Sequence, residues 1–204
     1  MYNPTMFELF FDIETKSWFD EIGSSDPGGL GVSIVSVYTR DTDDQSGQIT
    51  SFWEHQIPDM WGLFRQADRV IGFNTIGFDI PVLKPYAPAD FARFPHFDIY
   101  QKIKELNDGR AASLNRISKD TLGVTKIDDP ANAIKYWQRG DEASLVLLRK
   151  YCEADVLLTR DVYNFGLKNK YLKFTDRWNN PRQVPVDFSY PPDSSPTSKQ
   201  PTLF

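Results

Sequence analysis

Residues 6–13 read MFELFFDI, a run dense in Phe and Ile that ETK then interrupts, and this predicts a β-strand. The Gly/Pro/Ser-rich stretch 24–31 predicts a loop. VSIVSVYTR (32–40) alternates and is rich in Val, which makes it a second strand. DTDDQSG (41–47) supplies turn residues, and QITSFWEH (48–55) forms a third strand. Three strands joined this way predict an antiparallel meander. The pattern then changes period. Residues 58–68 read as a helix with Pro58 near its start, and 69–74 as a short apolar strand. Residues 77–87 form a short helix in which Pro81 is tolerable only near the first turn. Residues 96–107 pass from strand to helix, and 112–123 form a helix closed by Gly123. The longest helical segment spans 141–169, with Leu145, Leu148, Cys152, Val156 and Tyr163 along one stripe. YLKFTD and QVPVDFSY, separated by RWNNPR, predict a hairpin. From Pro191 onward Pro and Ser dominate and predict disorder. A meander followed by strand–helix alternation indicates an α/β fold with a mixed sheet flanked by helices. One domain over residues 1–190 with a tail at 191–204 accounts for the length.

Composition narrows the classes. A hydrophobic content of 40% and an aromatic content of 14% suffice for a buried core. The single Cys152 excludes an internal disulfide framework and suits a reducing interior. The first residues show no basic leader, and no apolar run approaches the ~18 residues that span a membrane, so a soluble, cytoplasmic protein is expected. The net charge of −5 argues against a tight, sequence-independent nucleic-acid binder. It leaves room for an enzyme acting on nucleic acid, where bound cations offset a carboxylate site.

Four acids stand out: Asp12 and Glu14 in FFDIET, Asp79 in GFNTIGFD, and Asp155 in KYCEADV, with Tyr151 four residues before the last. Residues two apart in a strand point to one side, so Asp12 and Glu14 present their carboxylates together. A solvated strand end is the alternative, but the apolar neighbours favour burial. Residues four apart in a helix share a face, which brings Tyr151 and Asp155 together. Taken alone, that pair equally describes a surface tyrosine beside a surface acid. Asp79 lies just past a strand, where α/β sheets bind ligands. Asn74 is expected to fix the turn through its side chain. Asp98 is expected to serve as a helix cap.

In this order FDIET, GFNTIGFDIPVL and YCEADV resemble the three motifs of the DEDD (DnaQ-like) exonucleases, which have an RNase H-like fold. The form NxxGFDxPxL is most similar to the exonuclease domains of family-B DNA polymerases and their stand-alone relatives. Tyr151 makes the resemblance one to the tyrosine (DEDDy) type; the fifth position before Asp155 is Lys150, not His. The resemblance runs from about residue 6 to 165.

It implies that Asp12, Glu14, Asp79 and Asp155 hold two Mg²⁺ or Mn²⁺ ions, with Asp12 bridging and Tyr151 orienting the attacking water. The implied reaction is 3′→5′ release of nucleoside 5′-monophosphates from single-stranded nucleic acid, DNA being favoured over RNA. Ile13 and Phe78 are expected to pack on the terminal base or sugar, with Asn74 beside them. Lys16, Arg110, Arg116, Lys119 and Lys126 are candidates for a basic rim. The terminal QPTLF places Gln200, Leu203 and Phe204 at a spacing that resembles sliding-clamp ligands, so a tether to a clamp is expected. Two other classes stay open: an RNase H-like binding module without chemistry, and a metal-dependent phosphohydrolase of small nucleotides.

Overall fold

The computed structural model describes residues 5–44, 46–127 and 130–191. The chain begins with β1 (Phe7–Thr15), a short helix α1 (Phe19–Ile22), and the strands β2 (Val32–Asp41) and β3 (Gln48–Trp53). Next come α2 (Ile57–Gln66), β4 (Arg69–Gly72), α3 (Asp79–Leu83), β5 (His96–Asp98), α4 (Ile99–Leu106), α5 (Leu114–Leu122) and α6 (Pro130–Arg139). The long α7 (Glu142–Asn169) precedes a hairpin of β6 (Tyr171–Thr175) and β7 (Pro181–Pro185).

The five-stranded sheet has the order β3-β2-β1-β4-β5. β1, β2 and β3 pair antiparallel, while β4 joins β1 and β5 joins β4 in parallel. This is the α/β mixed sheet expected of an RNase H-like fold. The central strand is β1, and its period of two splits the core. Leu9, Phe11 and Ile13 face one side, where they pack with Met60, Trp61 and Phe64 of α2. Phe10 faces the other side, among Val156, Val162 and Tyr163 of α7. The hairpin forms its own two-stranded sheet, laid along α5 through Thr121 Oγ1, which donates to the Lys173 carbonyl at 2.8 Å.

Most elements match the periodicities, with boundaries shifted by a few residues. Gly123 closes α5 in the left-handed region at φ 74°, and Pro58 stands in the first turn of α2. Of the stripe on α7, Leu148, Cys152, Val156 and Tyr163 are buried, while Leu145 is only partly so. Two helices depart from the expectations. Residues 19–22 form a single turn, and residues 130–139 form α6, which pattern reading left unassigned. In α6, Ala133 and Ile134 are buried, and Tyr136 and Trp137 pack partly buried against the cluster around Tyr151 and Cys152. Residues 192–204, including Gln200, Leu203, Phe204 and the expected disorder, lie outside the described residues. Among those described, no helix is long and apolar enough to cross a membrane.

Candidate functional site

A cleft of about 830 Å³ opens at the carboxyl ends of β1 and β4. Asp12, Glu14, Asp79, Tyr151 and Asp155 all line it, so segments more than 140 residues apart in sequence converge there. Ligand sites in open α/β sheets form at this end, because the loops that follow the strands splay apart there.

Each contributor is placed by a local rule. Asp12 and Glu14 are alternate residues of β1. The strand ends at a bulge, since Glu14 pairs with Ile34 but Thr15 with Val32. Ser33, skipped by that register, is fully buried and donates its hydroxyl to the Glu14 carbonyl at 3.0 Å. Asp79 is the first residue of α3, where free backbone amides favour a carboxylate. The turn before it is tight. A Cβ on Gly72 would meet Thr75 Cγ2 at 2.1 Å, and Asn74 stands at φ 62°. Asp98, rather than the Asn74 side chain, holds this turn. Its carboxylate accepts from the amides of Asn74 (2.8 Å) and Ile76 (2.9 Å) while also capping α4 through Tyr100 N. Tyr151 and Asp155 share a face of α7, and the tyrosine hydrogen-bonds that carboxylate.

The acids have little to neutralise them. Asp79 and Asp155 are buried; Asp12 and Glu14 form the half-buried floor. Burial pushes the Asp12 carboxyl well above the usual carboxylate range, and the charges of Asp79, Asp155 and Glu14 push it further. Glu14 is raised by burial and then by Asp155. Asp79 rises to about 7, again through burial, despite the backbone amides of Asp79 and Ile13 working in the opposite direction. Burial also raises Asp155, against the ammonium of Lys126.

Among the described lining residues, Lys126 is the single cation facing four carboxyl groups. It comes from the loop after α5, where its amide donates to Asn115 Oδ1 at 3.0 Å. Its Nζ lies 2.5 Å from Asp155 Oδ2 and 3.4 Å from Tyr151 Oη. Burial lowers the pKa of this ammonium, but Asp155, Asp12 and Glu14 outweigh burial and hold it above its ordinary value.

These residues fit a divalent cation. Oxygens of Asp12 and Glu14 and the sulfur of Cys152 lie within 4.8 Å of one another. Burial and then the Asp12 and Glu14 charges raise the Cys152 thiol well above its ordinary value, which keeps it protonated and directed at the Asp12 carbonyl, 3.5 Å away. The usable donors are therefore carboxylate oxygens, which suit hard ions. Tyr151 is likewise held protonated by burial, Asp155, Glu14 and Asp12, so it can donate a hydrogen bond but not act as a base.

The other residues singled out from the sequence divide. Phe78 and Asn74 line the cleft, with Phe78 half-buried against the first core cluster. Ile13 also lines the cleft, but it is 5% exposed and packs mainly into that core. Lys126 points into the acids instead of standing on a rim. Lys16 pairs with Glu54 and lies 5.4 Å over the Trp137 ring. Arg110, Arg116 and Lys119 are exposed. Sequence reasoning passed over Tyr100 and Phe73, whose rings meet edge to face at 5.6 Å on the cleft wall. The signal for Tyr100 was HFDIY, an aromatic placed two residues after a strand-end acid, at the same end of the sheet as Asp79.

The model of the RNase H superfamily matches residues 9–165, a span that holds β2 to β5, all of β1 but its first two residues, and every acid of the cleft. The hairpin lies outside the match. No curated protein matches the chain.

Proposed function

The chain belongs to the RNase H superfamily, and from that premise we propose that it is a metal-dependent 3′→5′ exonuclease of single-stranded nucleic acid, DNA in preference to RNA. Membership points to nuclease-type chemistry. One observation carries the finer assignment: Asp12, Glu14, Asp79 and Asp155 converge on one cleft with Tyr151 beside them. Gathering four carboxyl groups in a buried place costs stability, and divalent ions offset that cost.

In this scheme those four residues hold two Mg²⁺ or Mn²⁺ ions, with residues 1–190 as the exonuclease unit. Bound ions of this kind lower the pKa of an attacking water and stabilise the leaving oxygen. The chain's own groups do the rest. The Tyr151 hydroxyl orients the water by a hydrogen bond. Phe78, with Asn74 and an edge of Ile13, positions the terminal nucleotide. The water oxygen adds to the terminal phosphorus as the bond to the 3′ oxygen breaks. A nucleoside 5′-monophosphate leaves, and the shortened strand keeps a free 3′ hydroxyl.

Digestion of a 5′-labelled single strand tests this directly. A ladder of shortened products that needs Mg²⁺ or Mn²⁺ and vanishes in Asp12→Ala is expected; full activity in Asp12→Ala or in EDTA would sink it. Parallel reactions with RNA and with a model phosphodiester separate DNA preference from general phosphohydrolase activity. The clamp peptide formed by Gln200, Leu203 and Phe204 rests on spacing alone. Unchanged clamp capture after deleting residues 200–204 would remove it.

A further inference from the structure

The tip of the β6–β7 hairpin carries Trp178, which is 53% exposed; among the described residues no aromatic side chain is more open to solvent. This tip is built to hold a fixed shape. The buried carboxylate of Asp176 accepts from the amides of Trp178 (3.0 Å) and Asn180 (2.9 Å) and from Arg182 Nε (2.9 Å). An indole presented to water on a braced turn contributes nothing to the core.

Two guanidinium groups flank it. Arg177 stacks over the indole at 4.1 Å, and Arg110 approaches it at 5.5 Å from the loop before α5. Both arginines are exposed. Arg110 directly precedes Ala111, the first of five consecutive residues that line the acidic cleft. Arg110, whose guanidinium faces the indole, is therefore joined at its backbone to the cleft wall, one residue step of ~3.5 Å from Ala111.

On the strength of the exonuclease assignment, we propose that Trp178, Arg110 and Arg177 form a docking platform for the single strand that leads into the cleft. Charge decides the occupant. The cleft is lined by four carboxyl groups and the chain carries −5 overall, so a polyanion needs a local cationic foothold. An aromatic ring between two guanidinium groups matches the alternation of base and phosphate in an unpaired strand. Exposed cation–π contacts are weaker than base–aromatic stacking. A base can thus take the ring while the displaced guanidinium turns to the next phosphate. Trp178 and Arg177 lie outside the superfamily match, while Arg110 lies within it, so the platform joins the hairpin to the shared fold.

The test measures binding of a fluorescent 12-nucleotide strand to the full chain on the Asp12→Ala background, with Mg²⁺ present and the strand intact. Trp178→Ala should raise Kd about 5- to 100-fold. Trp178→Phe should recover much of the loss. Arg110→Ala should reduce the slope of log K against log salt by about 1. In the active chain, Trp178→Ala should also lower the preference for the 12-mer over a dinucleotide. Equal Kd for Trp178→Ala and its parent overturns the platform, even if Asp12-dependent hydrolysis stands. Trp178-dependent binding without any metal-dependent hydrolysis supports the platform and removes the exonuclease assignment instead.

Discussion

Glu8 and the pair Asp12–Glu14 project from the same face of β1 and lie under the same helix, yet their surroundings are opposite. Glu8 is fully buried, and donors surround it. Arg40 binds it through Nε (2.9 Å) and Nη2 (2.7 Å), Tyr163 at 3.0 Å and Tyr190 at 3.2 Å. Asp12 and Glu14 face Asp79 and Asp155 instead, with Lys126 as their nearby cation. A buried acid wrapped in donors is electrically satisfied, whereas buried acids facing one another repel and hold each other's protons more tightly. Strand periodicity does not separate them, since all three are acids at alternate positions in FELFFDIET; only the FDIET motif does.

Amide substitutions sharpen the contrast most. Glu8→Gln should cost about 2–4 kcal/mol, because it leaves Arg40 short of its charged acceptor in the interior. Asp12→Asn should instead stabilise the metal-free protein by about 1–2 kcal/mol at pH 8, by relieving repulsion. Urea unfolding of both variants reads the difference, and equal destabilisation would break the comparison.

Acidity follows next. Asp79 releases its proton at 3.8 when unfolded but near 7 when folded. Across that window the folded chain holds more protons than the unfolded one, so this group's contribution is full below about pH 4 and is lost as pH rises through 7. Asp12 and Glu14, also raised, act in the same sense. In metal-free melts, Asp79→Asn should therefore show a shallower decline with rising pH than the wild type. An identical pH profile would contradict the raised carboxyl.

Lys126→Met removes the resident ammonium. A loss of about 1–3 kcal/mol is expected without metal at neutral pH, together with a lower divalent concentration at the midpoint of a binding titration. A higher midpoint would make the lysine a helper of metal binding and not its competitor. The smallest effect belongs to Tyr151→Phe, which should slow turnover about 10-fold, the equivalent of one hydrogen bond, while leaving metal affinity unchanged.

How much was legible follows from which forces are local. Alternation in β1, the stripe on α7 and the stops at Pro58 and Gly123 are set by neighbours in the chain, and they appear in the sequence. The convergence of Asp12, Asp79 and Asp155 was reached only through motif order, since no local pattern brings positions so far apart together. Missed features depend on contacts made across the fold. Lys126 reads as one more surface lysine until the loop after α5 turns it inward. Asn74 has the composition of a self-fixing turn, but Asp98, from the neighbouring strand, supplies the acceptor. Trp178 reads as a hairpin residue beside Arg177, and the approach of Arg110 from another loop appears only in the fold.

The clasp around Glu8 also pins the segment from Phe188 to Tyr190. Arg69, at the start of β4, donates to the carbonyls of Phe188 and Ser189 and stacks 3.6 Å from the Tyr190 ring. That segment lies beside Glu8, four strand residues or ~13 Å behind Asp12 on the same ribbon. The described chain is thus pinned, through Tyr190, at the end of the sheet opposite the cleft.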